Sequence, residues 1–256
     1  MLFAIDAGNT NITLGVYHAD DLIFTARLAT DTTMTEDQLA ISFKSIFQMY
    51  GLSKADFRGA VISSVVPELT TALRKAVKMV TGTVPFLVGP GLKTGINIKV
   101  DDPAGLGADL VAGAIAAKTY YTLPALVVDL GTATKISVID QNGAFLGCSI
   151  SPGVRLSLDA LAKGASQLSQ ISLDIPKHAI GTNTVDSMRS GLVYGTADML
   201  DGLIDRMNAE LSTPAKTILA TGGLSDICNY CKHDMIVDKS LLLKGLKALY
   251  DLNAEK

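Results

Sequence analysis

The chain opens on three apolar runs separated by polar turns, "MLFAID", "NITLGVYH" and "LIFTARLA", which predict three consecutive strands. The pattern then changes. "TEDQLAISFKSIFQMYG" spaces its apolar residues for one face of a helix, with Thr35 as N-cap and Gly51 as the C-terminal stop. "GAVISSVVP" predicts a strand, "ELTTALRKAVKMVTG" a second helix and "PFLVG" a further strand, which completes a βββαβαβ unit. After a loop over residues 89–107 rich in Gly, Pro and Asp, "GADLVAGAIAAKTYY" has the small-residue apolar character of a buried helix.

The strand series then restarts with "ALVVDLG", "TKISVID" and "GAFLGCSI", with turns at "QNG" and "SPG". Helices are expected over "RLSLDALAKGASQL" and "TVDSMRSGLVYGTADMLDGLIDRMNAEL", followed by the strand "TILATGG" and closing helices. Both halves begin in the same way, which predicts two similar α/β lobes, residues 1–106 and 107–256, with the two Asp-Gly turns facing a cleft between them.

Composition narrows the function classes. With 256 residues, 48% hydrophobic and 18% charged, the chain can build one large core or two small ones. A net charge of −3 without a Lys/Arg block argues against a nucleic-acid or membrane surface and for small-molecule partners or a second copy of the chain. No apolar run approaches the roughly 18 to 20 residues of a membrane span, and a strand pattern from the first residue leaves no room for a signal peptide, so the cytoplasm is expected. Cys148, Cys228 and Cys231 fit reduced thiols. Cys228 and Cys231 form a C-x-x-C without the second ligand pair a zinc ribbon needs, and His18, His178 and His233 show no ligand spacing.

The turns carry the chemistry. Gly8, Asn9 and Thr10 at a hairpin tip offer backbone N–H groups to an anion, and Gly8 lets a phosphate oxygen approach bare backbone. Asp6, ending the first strand, suits a hydrated Mg²⁺, which takes one or two carboxylates together with phosphate oxygens. The turn Asp129-Leu130-Gly131-Thr132-Ala133 repeats these elements for another phosphate or a cation, and Gly222-Gly223 can receive a flat base or ribose. Neither a G-x-x-x-x-G-K-[ST] nor a G-x-G-x-x-G is present, which argues against a P-loop kinase and a dinucleotide dehydrogenase. Nucleotide binding is the expected function class.

"DAGNTNITLGVY", "GAD" at 107–109, "DLGTAT" at 129–134, "SISPGV" at 149–154, "GTNT" at 181–184 and "LATGG" at 219–223 follow the order and spacing of type III pantothenate kinases, which the whole chain resembles. The resemblance implies two ribonuclease-H-like lobes of the actin-like ATPase superfamily, a homodimer, and transfer of the ATP γ-phosphate to the 4′-hydroxyl of pantothenate, the entry to coenzyme A. It further implies Asp109 as general base, Asp6 with Gly8, Asn9 and Thr10 as the Mg-ATP phosphate site, and Thr132 as another ATP contact. Asp129 resembles the residue that holds an activating K⁺ or NH₄⁺, and Thr184 resembles a substrate contact. Substrate is expected around Gly107, Ala108, Asp109 and position 110.

The departures concentrate on the substrate side. Before the base the family pattern reads roughly Tyr-Asp-Asn-Pro-x-Glu-Val-Gly-Ala-Asp-Arg, whereas this chain has "VDDPAGLGADL". Val100 stands for the tyrosine, Gly105 for the glutamate and Leu110 for the arginine that would pair with a substrate carboxylate. Losing one charge-assisted hydrogen bond is worth about 1.5–3 kcal/mol. Lys135 and Ser137 fall where the family usually has threonine and aspartate, Cys148 interrupts a Gly-Gly, and "GASQLS" replaces a Thr-Ala-x-Leu-Pro run. Lys135 would bring positive charge toward the second turn, although a lysine on such a strand is more often a solvated face residue. Three readings follow: a pantothenate kinase with a reshaped acid pocket, a kinase of a less acidic small alcohol, or a non-catalytic nucleotide-binding relative serving as a regulatory or structural subunit.

Overall fold

The computed structural model describes residues 1–165 and 168–254. Its first elements are β1 (Leu2–Ala7), β2 (Asn11–His18), β3 (Asp21–Ala29), α1 (Glu36–Met49), β4 (Gly59–Ser64), α2 (Pro67–Thr81), β5 (Phe86–Leu87) and α3 (Ala108–Tyr120). There follow β6 (Ala125–Leu130), β7 (Ala133–Ile139), β8 (Phe145–Pro152), α4 (Val154–Gly164), α5 (Thr184–Glu210), β9 (Thr217–Thr221), β10 (Ile236–Val237) and α6 (Leu241–Ala254).

The strands form two sheets of five with one topology. The first has the order β3-β2-β1-β4-β5 and the second β8-β7-β6-β9-β10. In each sheet the central strand runs antiparallel to the strand that follows it in sequence and parallel to the later one. This is the ribonuclease-H-like arrangement, present twice. Central strands covered on both faces must be apolar almost throughout, and β1 and β6 share one burial pattern, with only Asp6 and Asp129 half-buried near their ends.

The chain divides into two compact units, residues 1–96, 101–119 and 241–256 in one and residues 97–100 and 120–240 in the other. This division differs from a boundary at 106/107, because nearly all of α3 and the whole of α6 group with the first sheet. The α6 helix lies against β1, β4 and β2. A side chain on Gly245 would come within 1.9 Å of the Ala112 carbonyl oxygen, so α6 and α3 meet backbone to backbone. The core of the first unit joins Phe3, Ile5, Ile12 and Leu14 to Leu39, Phe43 and Phe47 of α1 and Leu69 and Leu73 of α2. Phe3 stands edge-on to Phe43 and Phe47 at 5.4 and 4.9 Å, and its truncation to alanine would cost about 3–5 kcal/mol. The core of the second unit joins Leu126, Val128 and Ile136 to Leu158 of α4 and Leu192, Leu200 and Ile204 of α5.

Local signals set most boundaries. Thr35 caps α1 through a capping box with Gln38, and Gly82 ends α2 in the left-handed region at φ 78°. Three expectations are corrected. Pro67 is the first residue of α2 rather than the end of a strand, since proline lacks only an N–H that this position leaves unbonded in any case. "SPG" is not a free turn, because β8 continues through Pro152 and Gly153 precedes α4. The closing segment is a 3₁₀ turn (Ser225–Tyr230), the two-residue β10 and α6, not helices alone. Within "GASQLS", residues 166–167 lie outside the described residues.

Candidate active site

In the first unit the β1–β2 hairpin presents Gly8, Asn9 and Thr10. The Gly8 N–H donates to the Asn11 carbonyl at 3.0 Å, the Thr30 hydroxyl donates to the Gly8 carbonyl at 2.6 Å, and the Thr30 N–H donates to the Thr10 carbonyl at 3.0 Å. The tip is therefore braced by the end of β3 while Asn9 and Thr10 stay exposed. Asp6 is half-buried and lies opposite Thr13 on β2 and Ser63 on β4. Cross-strand partners share a face, so the carboxylate emerges between two hydroxyl residues. One carboxylate beside hydroxyls suits Mg²⁺ carried by a phosphate ligand.

Asp109 lies in the first turn of α3, where a carboxylate is stabilised by the helix N-terminus. Its Oδ1 accepts from the Leu110 N–H at 2.8 Å. A Cβ on Gly107 would fall 2.7 Å from that same oxygen, so a larger residue there would push the Asp109 side chain aside. Ala108 is buried, while Asp109 and Leu110 are half-buried.

In the second unit the turn is one residue shorter. The Gly131 N–H donates to the Ala133 carbonyl at 3.2 Å, and Thr132 completes the tip. Gly153 lies directly beneath it, its N–H donating to the Thr132 carbonyl at 3.1 Å, and a Cβ on Gly153 would be 2.3 Å from that carbonyl oxygen. This contact accounts for the glycine of "SISPGV". Gly222 has φ 94°, and a Cβ there would meet the Leu130 carbonyl oxygen at 2.6 Å and Asp129 Oδ1 at 2.8 Å; Gly223 follows with open space around it.

Asp129 lies opposite Lys135 on β7 and Thr221 on β9. The Lys135 ammonium is 2.8 Å from Asp129 Oδ2, and both side chains are only 14% exposed. Lys135 is thus an ion-paired, mostly buried residue, not a solvated one. A further monovalent cation about 4 Å from that ammonium would be opposed by roughly 4 kcal/mol at an effective dielectric of about 20, close to three orders of magnitude in affinity. Asp129 thus already carries a cationic partner at the point where the resemblance implies K⁺ or NH₄⁺.

Sequence reasoning missed three buried hydroxyls beside these turns: Ser63 next to Asp6, Thr134 just after the second turn, and Ser225 just after Gly222-Gly223. Ser63 Oγ, Thr134 Oγ1 and Ser225 Oγ have no hydrogen-bond partner among the described residues. Buried polar atoms are nearly always bonded, so their concentration at the three turns fits positions completed by ligand or water. Nothing in the local sequence singles out such a serine or threonine, since its solitude arises from packing.

Thr184 begins α5, capped by Asn183, whose side chain accepts from the Asp186 N–H at 2.9 Å. It borders an open hollow of about 710 Å³ that also involves Gly181, Thr182, Leu161 and Met188. Val100 belongs to the second unit, where residues 97–100 run along β8: the Lys99 N–H donates to the Phe145 carbonyl and the Phe145 N–H to the Asn97 carbonyl, each at 2.8 Å. The expected substrate residues thus divide between the units, with Gly107, Ala108, Asp109 and Leu110 in the first and Val100 and Thr184 in the second. Cys228 and Cys231 are free thiols, and no cluster of three or more His, Cys, Asp or Glu residues able to hold a metal occurs among the described residues.

A sequence model of the type III pantothenate kinase family matches residues 2–206. A type III pantothenate kinase of Halalkalibacterium halodurans is 42% identical over 254 residues, covering 99% of this chain and all of that one. The chain belongs to the type III pantothenate kinase family. A Geobacillus member is 40% identical over 257 residues, spanning 100% of this chain and 99% of its own length. The activator of the 2-hydroxyisocaproyl-CoA dehydratase from Clostridium difficile, solved with bound ADPNP, shares the fold at a TM-score of 0.60 and 14% identity, over 99% of this chain and 96% of that one. As a type III pantothenate kinase the chain is a phosphotransferase, and its reaction is the ATP-dependent phosphorylation of pantothenate that opens coenzyme A synthesis.

Proposed function

We propose that the chain moves the γ-phosphate of Mg-ATP to the 4′-hydroxyl of pantothenate with Asp109 as general base. The observation that carries this reading is the Asp109 carboxylate, fixed at the start of α3 by the Leu110 N–H, in a chain of this family. Phosphoryl transfer relies mainly on positioning and charge neutralisation, so the base need only accept the hydroxyl proton late. Asn9 and Thr10 hold phosphate oxygens through backbone N–H groups and the threonine hydroxyl, Gly8 beside them keeps the approach open while its own N–H closes the hairpin on the Asn11 carbonyl, and Asp6 would hold Mg²⁺, directly or through water. Bound there, Mg²⁺ would neutralise phosphate charge. Gly131 and Thr132 form the second phosphate contact, and Gly223, with open space around it, leaves room for the adenosine while Gly222 lets the chain pass close to the Leu130 carbonyl. To the acceptor we assign Thr184, Val100 and residues 107–110.

The chain works as a homodimer in this reading, supported by exposed apolar side chains on β8 and α4, namely Ile150 at 64%, Leu156 at 48% and Leu161 at 40%. No helix among the described residues is long and apolar enough to cross a membrane, and a coenzyme A biosynthetic role fits the cytoplasm. A second reading, transfer to a less acidic alcohol, is favoured by Leu110, half-buried where the family pattern carries arginine. A coupled assay for ADP release with pantothenate and a panel of small alcohols separates the two. Asp109→Asn keeps the side-chain oxygen that Leu110 bonds but removes the charge, so it should lower turnover by about 10²- to 10⁴-fold while Mg-ATP affinity stays within a few-fold. Unchanged turnover would remove Asp109 from the mechanism.

A further inference from the structure

The two units place the same carboxylate at the same point of the same sheet and surround it differently. Asp6, the penultimate residue of β1, lies opposite Thr13 and Ser63, whereas Asp129, the penultimate residue of β6, lies opposite Lys135 and Thr221. The lysine thus occupies the position equivalent to Thr13. Its ammonium lies 2.8 Å from Asp129 Oδ2, and the other carboxylate oxygen faces bare glycine backbone, a Cβ on Gly222 or Gly131 falling 2.8 or 3.4 Å from it.

We infer that Lys135 is a tethered monovalent cation: its ammonium supplies the positive charge at the second turn that a dissolved K⁺ or NH₄⁺ would otherwise supply, so the chain needs neither ion. The inference rests on the kinase reading for its consequence in turnover but not for its consequence in ion binding. Lys135 acts by setting charge and geometry at the turn, as a positioning residue.

The test uses the full chain in choline chloride, sodium chloride, potassium chloride and ammonium chloride at equal ionic strength. Thermal unfolding without nucleotide, calorimetry of Mg-ATP and ADP release with pantothenate are read in each. For the unmodified chain all three should change less than twofold, or by less than a degree in Tm, among the salts. Lys135→Thr, which restores the residue type found at position 13, should lose at least tenfold in Mg-ATP affinity in choline and regain it with K⁺ or NH₄⁺ but not with Na⁺. A variant weakened only structurally would not be rescued in that ion-selective way. Lys135→Met serves if the threonine variant does not fold. Strong activation or stabilisation of the unmodified chain by K⁺ would overturn the inference, as would a Lys135→Thr chain indifferent to every cation. Absence of ADP release together with salt-indifferent unfolding and ATP binding would leave the tethered cation standing and remove the assigned substrate.

Discussion

The β1–β2 and β6–β7 turns stand at equivalent points of two sheets with one strand order, yet they treat their aspartates differently. The first turn has three tip residues and sets Asp6 between Thr13 and Ser63. The second has two and locks Asp129 to Lys135 across the strand pair. A carboxylate among hydroxyls suits an incoming divalent ion, while one already neutralised by an ammonium does not. A duplicated scaffold can thus divide its labour by a single cross-strand partner.

The most direct way to break this contrast is to copy the second arrangement into the first. Thr13→Lys should place an ammonium beside Asp6 and repel Mg²⁺, raising the Mg-ATP dissociation constant by about a hundredfold or more by the same charge arithmetic as for Asp129. An affinity within twofold of the parent in calorimetry would show that the cross-strand partner does not decide which turn takes the metal. A smaller effect is expected from Gly153→Ala, which pushes a methyl toward the Thr132 carbonyl. It should cost about 1–3 kcal/mol, or roughly 2–10 °C in Tm, and weaken Mg-ATP in the same variant. An unchanged melting curve would mean that β8 yields and the second turn is not held from below.

The smallest expected effect concerns the β7–β8 turn of the second unit. Burial alone would raise the Asp140 carboxyl, but the Ala144 and Asn142 N–H groups and the Lys99 ammonium hold it below the ordinary carboxylate value. A depressed native pKa contributes stability above the unfolded value of about 4 and loses it as pH falls through the native one. Asp140→Asn should therefore melt a few degrees below the parent at pH 7, with the gap closing in acid. A gap independent of pH would assign the loss to geometry instead of charge.

The sequence foretold what depends on short-range pattern. Three strands, a helix with a Thr35 cap, and the restart at Ala125 are visible because each element carries its own apolar period and its own punctuation. The Asp-Gly turns were legible for the same reason, as was the fold they imply. What stayed hidden depends on partners far along the chain. Lys135 looks like any strand lysine until the β6–β7 register sets it against Asp129. The two residues of β10 are too few to show a period, and the solitary hydroxyls of Ser63, Thr134 and Ser225 exist only once neighbouring strands have closed over them. Membership of α6 in the first unit likewise rests on its contact with β1, β4 and β2, strands that end more than 170 residues before it begins.

That last contact also orders events during synthesis. The β1–β4 face that α6 covers is made early, and the helix that covers it comes more than 170 residues after β4. As the ribosome works through residues 97–240, the first unit must wait with apolar strand surface uncapped, whereas the second has every strand and helix it needs by Ser240. The later-made half is thus the first able to finish, and the earlier-made half depends on its last fourteen-residue helix to close.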